Sequence, residues 1–132
     1  MARIETALVT YLNGQSKLSA LISNRMYALR APQKVVYPFV IYQRISTERN
    51  LTHDLTASGL TTPRIQFDVY GKTYKSALEV MDVLRETLQG LSTTMSGVEV
   101  QSILPALERH DVEPDEDYYR LTVDYLISYS EV

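Results

Sequence analysis

Two histidines and one acidic segment are the parts of this chain whose residue types suggest chemistry. His53 and His110 are each followed by an aspartate, and imidazole and carboxylate groups are common zinc ligands. A structural zinc site takes about four ligands, and the two His-Asp pairs lie far apart in polar stretches of sequence. Histidines in such stretches are usually solvated, so we predict that the chain binds no metal ion and no cofactor.

The acidic segment lies between residues 110 and 117, around Pro114. It lacks the D-x-[DN]-x-[DN]-G spacing of a calcium loop, so calcium binding is not predicted. The favoured interpretation is a solvated hairpin turn that discourages edge-to-edge aggregation. The alternatives are an electronegative contact with a basic partner and a surface that repels DNA phosphates. The carboxylates concerned are Asp111, Glu113, Asp115, Glu116 and Asp117.

The motifs that would indicate an enzyme are missing from the sequence. There is no G-x-S-x-G nucleophile motif, no phosphate-binding G-x-x-x-x-G-K-[ST] loop and no dinucleotide-binding G-x-G-x-x-G. The chain contains no cysteine, which excludes disulfides, thiol nucleophiles and thiolate metal sites. We therefore predict that the protein is not an enzyme.

Length, composition and charge favour a single domain over residues 1–132. A chain of 132 residues that is 45% hydrophobic and 22% charged can bury a substantial core. The formal net charge of −3 argues against a surface that binds duplex DNA. No apolar run approaches the roughly 18 residues of a membrane span, and the N-terminal residues are polar, unlike a signal peptide. We expect no contact with a membrane.

Hydrophobic periodicity predicts the elements that must carry any functional surface. Two amphipathic helices occupy the first part of the chain, and a longer helix follows its N-cap residue Thr73. Pro105 indicates an edge or a bulge in the strand that contains it. The predicted strands are residues 37–46, 64–70, 98–107 and 118–129, with residues 26–29 as a candidate for a short additional one.

The predicted fold class is α+β, in the order α-α-β-β-α-β-β. It consists of a mainly antiparallel sheet of about four strands, with helices packed on one face. The other face is predicted to be polar, either as a solvated surface with weak ion pairs or as a contact with another subunit. The charged residues predicted on that face are Arg44, Arg64, Asp68, Arg120 and Asp124.

The polar segment at residues 48–62 is too long for a tight turn between two strands. Long loops in compact domains are usually functional or disordered, so we predict an arm that is mobile in an isolated subunit and ordered in an assembly. The second predicted contact is the tyrosine-rich end of the last strand, because tyrosine is common in interfaces. The predicted interface residues are Arg49, Leu51, His53, Leu55, Leu60, Tyr125 and Tyr129.

The order and spacing of several phrases resemble the tail-completion, or tail-terminator, proteins of long-tailed bacteriophages and prophages. Among these phrases are YPFVIYQ at residues 37–43, RIQFDVY at 64–70, TYKSA at 73–77 and YYRLTVDY at 118–125. With shorter phrases at residues 18–27, 31–32, 58–59 and 88–90, the resemblance extends over nearly the whole chain. The family carries no catalytic motif, so the resemblance transfers no catalytic residue.

The resemblance implies a structural virion protein of the tail or neck, assembled in the host cytoplasm. It implies a ring, usually a hexamer, that caps the tail tube and joins it to the head-side connector. The implied partners are other copies of the chain, the tail tube protein and a head-side connector or head-closure protein, while DNA passes through without specific binding. The alternatives are a head-closure or other neck protein and, less favoured, a small-molecule-binding α+β domain.

Overall fold

The computed structural model describes residues 3–51, 57–113 and 118–130 of the chain. These residues form three helices and six strands in the order α-α-β-β-β-α-β-β-β. The helices are α1 (Ile4–Asn13), α2 (Ser16–Ile22) and α3 (Tyr74–Leu88). The strands are β1 (Met26–Ala28), β2 (Phe39–Leu51), β3 (Ala57–Gly71), β4 (Thr93–Met95), β5 (Val98–Glu113) and β6 (Tyr118–Ser130).

All six strands belong to one sheet with the spatial order β1-β2-β3-β6-β5-β4. Strand β1 is parallel to β2, and every other neighbouring pair is antiparallel. The predicted α+β class and the mainly antiparallel sheet are confirmed, but the predicted count of about four strands is too low. Strand β1 confirms the candidate short strand at residues 26–29. Strand β4, which was not predicted, contains three residues, too few to show an alternating pattern in the sequence.

The hydrophobic core lies between the helices and one face of the sheet, as predicted. Helix α3 contributes a stripe at helical spacing, and the strands contribute alternate residues, such as Ile65, Phe67 and Val69 of β3. Each fully buried side chain of this kind stabilises the fold by about 1.5–3 kcal/mol. None of the helices in the described residues is long and apolar enough to span a membrane.

Both ends of α3 are held by specific hydrogen bonds. At the N-terminus, the Thr73 hydroxyl accepts a hydrogen bond from the Ser76 amide at 3.1 Å, which confirms Thr73 as the N-cap. Beyond the C-terminus, Gly90 adopts a φ of +76°, a conformation that favours glycine. Its amide donates to the Ile103 carbonyl at 2.9 Å, so the turn after α3 is attached directly to β5.

The prediction of a long loop at residues 48–62 is wrong for most of that segment. Strands β2 and β3 stay paired through it, with Glu48 opposite Thr62, Arg49 opposite Thr61 and Leu51 opposite Ala57. Antiparallel pairing satisfies the backbone whatever the side chains are, so a polar ribbon can extend beyond the apolar part of a hairpin. The tip of the hairpin, residues 52–56, lies outside the described residues.

Strand β5 continues to Glu113, six residues beyond its predicted end. Its pairing with β6 shifts register between Pro105 and Leu107, so the bulge that Pro105 predicted is confirmed. Strand β4 pairs with β5 only at Val98–Val100, and β5 is therefore an edge of the sheet over most of its described length.

Candidate functional site

The face of the sheet opposite the helices, here called the outer face, is the main candidate site. The strand registers align its residues in rows that cross β5, β6, β3 and β2. One row has Leu104 opposite Leu126, which is opposite Arg64. The next row contains Leu107, Asp124, Gln66 and Gln43. The row after it contains Arg109, Thr122, Asp68 and Ile41.

An ion pair lies at the centre of the outer face. Arg64 Nε is 2.8 Å from Asp124 Oδ2, and the Asp124 residue is only 3% exposed. Asp124 Oδ1 is buried as well and has no hydrogen-bond partner among the described residues. A carboxylate this buried depends strongly on its partner, because an unpaired buried charge is highly unfavourable.

Neutral hydrogen bonds extend the network on both sides of this pair. Gln43 Nε2 donates to Gln66 Oε1 at 2.8 Å, and the hydroxyls of Thr62 and Ser128 are 2.9 Å apart. These contacts connect β2, β3 and β6 across the sheet. The outer face is thus a polar surface with defined partners, and the four predicted residues Arg64, Asp68, Arg120 and Asp124 belong to it, as their registers show.

The pKa of Asp68, on the outer face, is raised above its ordinary value. Burial raises the pKa of its carboxyl, and the nearby Asp124 adds to the effect. The Thr122 hydroxyl, which donates to Asp68 Oδ1 at 2.7 Å, and Arg120 oppose the rise in pKa. Asp68 therefore retains its proton to a higher pH than an exposed aspartate does.

The arginines of the outer face are directed at carboxylates. Arg120 Nη2 lies 3.4 Å from Asp111 Oδ2, and Arg109 Nε lies 3.9 Å from the same oxygen. Phosphate binding requires arginines that are not already neutralised in this way. The prediction that Arg44 belongs to this face is wrong: Arg44 is opposite the core residue Ile65 and forms an ion pair with Glu5 of α1 on the helix side.

A cluster of aromatic rings occupies the end of the outer face where β2 begins. The Phe39 and Tyr70 rings are stacked with centroids 4.8 Å apart, Tyr37 lies 5.1 Å from Phe39, and Tyr118 lies 5.4 Å from Tyr70. Lys72 Nζ is 4.6 Å from the centre of the Tyr37 ring. This cluster was not predicted from the sequence. The feature that could have indicated it is the presence of aromatic residues on the polar side of three strands, β2, β3 and β6.

The predicted tyrosine contacts, Tyr125 and Tyr129, lie in the core and are 1% and 6% exposed. Both point to the helix side, whereas Leu126, between them, points outward and is 36% exposed. A contact at this end of β6 stays a prediction, with Leu126 rather than the tyrosines available to make it. Burial raises the pKa of Tyr125 to about 12.

The other predicted interface residues belong to the β2–β3 hairpin. The strands contain Arg49, Leu51 and Leu60, while His53 and Leu55 lie outside the described residues. Their role in an interface stays a prediction.

The acidic segment is only partly described. Asp111 and Glu113 belong to β5, and Asp111 contacts the two arginines named above. Residues 114–117, which include Asp115, Glu116 and Asp117, lie outside the described residues.

His110 takes part in hydrogen bonds within the protein. Its Nδ1 lies 2.7 Å from the Tyr74 hydroxyl, and its Nε2 lies 3.3 Å from Glu108 Oε2. The described ranges contain no group of three or more His, Asp or Glu side chains arranged to hold a metal ion. The His110 imidazole thus connects β5 to the beginning of α3.

An open cleft of about 380 Å³ lies between the end of α3 and the bulge of β5. Arg85 at its rim contacts Glu108 at 3.1 Å and Asp82 at 3.3 Å. The polar groups around the cleft thus interact with one another rather than converging on a ligand position, which disfavours the small-molecule-binding alternative.

A family model described as "Tail completion protein gp17" matches residues 6–130. The chain belongs to this family of tail completion proteins. The match includes the core, the outer face and all three helices except the first residues of α1. The tail completion protein is therefore a structural component of a phage-like virion and not an enzyme, and the predicted family is confirmed.

Solved structures show that the fold of this tail completion protein recurs at low sequence identity. A chain from the virion of a native gene transfer agent (GTA) particle is similar with a TM-score of 0.81 and 12% identity, covering 97% of this chain and 95% of that chain. A second solved chain is similar with a TM-score of 0.50 and 16% identity, covering 97% and 90%. No curated protein sequence matches at a significant level.

Proposed function

We propose that this tail completion protein forms a closed, hexameric ring that caps the finished tail tube and joins the tail to the head-side connector. The observation that carries the proposal is the family match over residues 6–130. The ring contacts the tail tube protein on one side and the head-side connector or a head-closure protein on the other. It is assembled in the host cytoplasm and remains in the particle.

The charge distribution supports a ring that lets DNA pass without holding it. The net charge is −3, and the outer-face arginines Arg64, Arg109 and Arg120 each lie close to a carboxylate. Strong binding to duplex DNA needs several free cationic side chains that displace counterions from the phosphates. We therefore expect no retardation of duplex DNA in a gel at low ionic strength; tight binding there would contradict free passage.

Deletion of the gene in its phage or prophage tests the proposal. Without the ring, we expect tails of abnormal length and full heads that lack tails, both visible by electron microscopy. Expression of the wild-type gene from a plasmid should restore joined particles. Tails of normal length that still join heads in the deletion strain would overturn the proposed function.

A further inference from the structure

The two ends of the strand order differ in charge. The end that contains β1 and β2 is here called the basic side of the sheet, and the end that contains β5 the acidic side. Between residues 25 and 38, which include β1 and the segment that leads to β2, there are three lysines and arginines and no aspartate or glutamate. Strand β5 has four carboxylates and one arginine. Strands β1 and β5 are separated by four strand spacings of about 4.8 Å each, so the cations beside β1 and the carboxylates of β5 do not pair with each other within one chain.

The basic side of the sheet also exposes apolar groups. The segment between β1 and β2 carries Arg30 and Lys34, both exposed, together with Leu29 and Val36, which are 71% and 59% exposed. Leu29 also has a φ of +66°, an unfavourable conformation for a residue with a side chain, and its amide donates to the Tyr42 carbonyl at 3.0 Å. An exposed leucine held in such a conformation suggests a binding role. These four residues are here called the basic patch.

The acidic side combines charge and apolar exposure in the same way. Glu99 and Glu108 are exposed on β5, and Leu104 and Leu107, which lie between them in the strand, are 55% and 43% exposed. Glu108 also forms an ion pair with Arg85 of α3 at 3.1 Å. These four residues are here called the acidic patch. The two patches contain four of the seven large hydrophobic side chains that are most exposed in the described residues.

We infer that the basic patch of one copy binds the acidic patch of the next copy. Two different surfaces on one chain, joined head to tail, generate a ring when the rotation closes. The patches are complementary in charge and both contain exposed aliphatic groups, so opposite charges can select the contact while the leucines and the valine bury apolar area. The inference rests on the proposed ring and specifies which surfaces close it.

Charge reversal of each patch tests the inference in the deletion strain. Arg30→Glu/Lys34→Glu makes both patches acidic, and Glu99→Lys/Glu108→Lys makes both basic. We expect each variant alone to lower the yield of joined particles at least about tenfold, because like charges would meet at every contact. Coexpression of the two variants should restore the yield, since alternating copies then place opposite charges at each contact.

Two controls separate this effect from misfolding and from net charge. Rescue by coexpression shows that both variants fold. Lys17→Glu/Lys75→Glu and Glu79→Lys/Glu86→Lys make the same charge changes at exposed helix positions and should leave the yield unchanged. Full yield from either patch variant alone, or no gain on coexpression, would overturn the inference.

Engineered cysteines separate failure of this contact from failure of the ring itself. The natural chain has no cysteine, so Val36→Cys/Leu104→Cys introduces the only thiols. We expect oxidation of purified particles to produce a ladder of covalent oligomers, while each single variant yields at most dimers. A ring visible in the particles without such a ladder would contradict this contact alone. Joined particles that contain no ring would contradict the proposed function as well.

Discussion

Arg64 Nε lies 2.8 Å from Asp124 Oδ2 on the face of the sheet opposite the helices. Asp124 is 3% exposed, although the helices pack on the other face, while the Arg64 side chain is 35% exposed. The pair is thus asymmetric: loss of the arginine leaves a buried charge, whereas loss of the aspartate leaves a cation that reaches water.

We expect Arg64→Met to lower the free energy of unfolding by about 2–3 kcal/mol, less than the loss for a fully buried pair because Arg64 is partly solvated. The double variant Arg64→Met/Asp124→Leu should recover to within about 1 kcal/mol of wild type, since it removes the unpaired charge. Urea denaturation of the variants measures both values. A double variant no more stable than Arg64→Met would show that the pair is not the cause.

Gly71 is expected to reject a side chain. A Cβ there would lie 2.9 Å from the Ala77 amide nitrogen and 3.1 Å from Ala77 Cβ, so α3 would have to move. Gly71→Ala should therefore destabilise the protein by about 1–3 kcal/mol in thermal or urea denaturation. Gly14→Ala is the matched control: its Cβ would approach only to 3.4 Å of the Tyr11 carbonyl, at a φ of −82° that alanine adopts. Equal losses at both positions would refute the steric explanation.

Loss of the N-cap of α3 should destabilise the protein less than the substitution at Gly71. Thr73→Ala removes the hydroxyl that accepts from the Ser76 amide and should lower stability by about 1 kcal/mol. Thr73→Ser keeps the hydroxyl and should remain within a few tenths of a kcal/mol of wild type. Thermal denaturation distinguishes them, and an alanine variant as stable as the serine variant would argue against the cap.

Asp68 predicts a pH dependence at mildly acidic pH. Because the folded protein raises the pKa of Asp68, it binds this proton more tightly than the unfolded chain does, and stability falls as pH rises through that pKa. Asp68→Asn can still accept from the Thr122 hydroxyl and should be more stable than wild type at neutral pH. Urea denaturation across the acidic range checks this, with Glu79→Gln on the exposed side of α3 as control. A less stable Asp68→Asn variant would be the contrary result.

Tyr125 predicts a second pH dependence at alkaline pH. Its pKa is raised to about 12 in the folded protein, so the unfolded chain loses this proton first and stability falls above the ordinary tyrosine pKa of about 10. As the pH rises from about 10 to about 12, the free energy of unfolding of Tyr125→Phe should therefore fall by about 1–2 kcal/mol less than that of wild type. Denaturation at successive pH values measures the difference, and parallel curves for the two proteins would contradict it.

Elements with strong local signals were predictable. The cap at Thr73 and the apolar stripe after it predict α3, and alternation predicts β6. The same alternation could have shown that Tyr125 and Tyr129 are not exposed contacts. They point to the same face of β6 as Leu121, which is buried. Their burial follows from the pattern of the strand rather than from the residue type.

Features that depend on pairing between strands were not predictable. The polar segment at residues 48–62 has no apolar alternation, and only the pairing of β2 with β3 shows that its described parts, residues 48–51 and 57–62, are extended. The position of Arg44 on the helix side follows from its register opposite Ile65. The bulges of β2 and β5 shift these registers. Of these bulges, the sequence indicates the one at Pro105, because proline disrupts strand pairing, and it gives no comparable sign of the bulges in β2.

The pairing of β3 with β6 has a consequence for how the chain folds. Hairpins β2–β3 and β5–β6 each form between strands that follow each other in sequence, but the β3–β6 ladder joins strands separated by α3, β4 and β5. Closing that long connection is entropically unfavourable before the ladder forms, so we expect it to limit the folding rate. Until it closes, the edges of β3 and β6 are open to other chains, and slow folding at high concentration would favour misassembly through them.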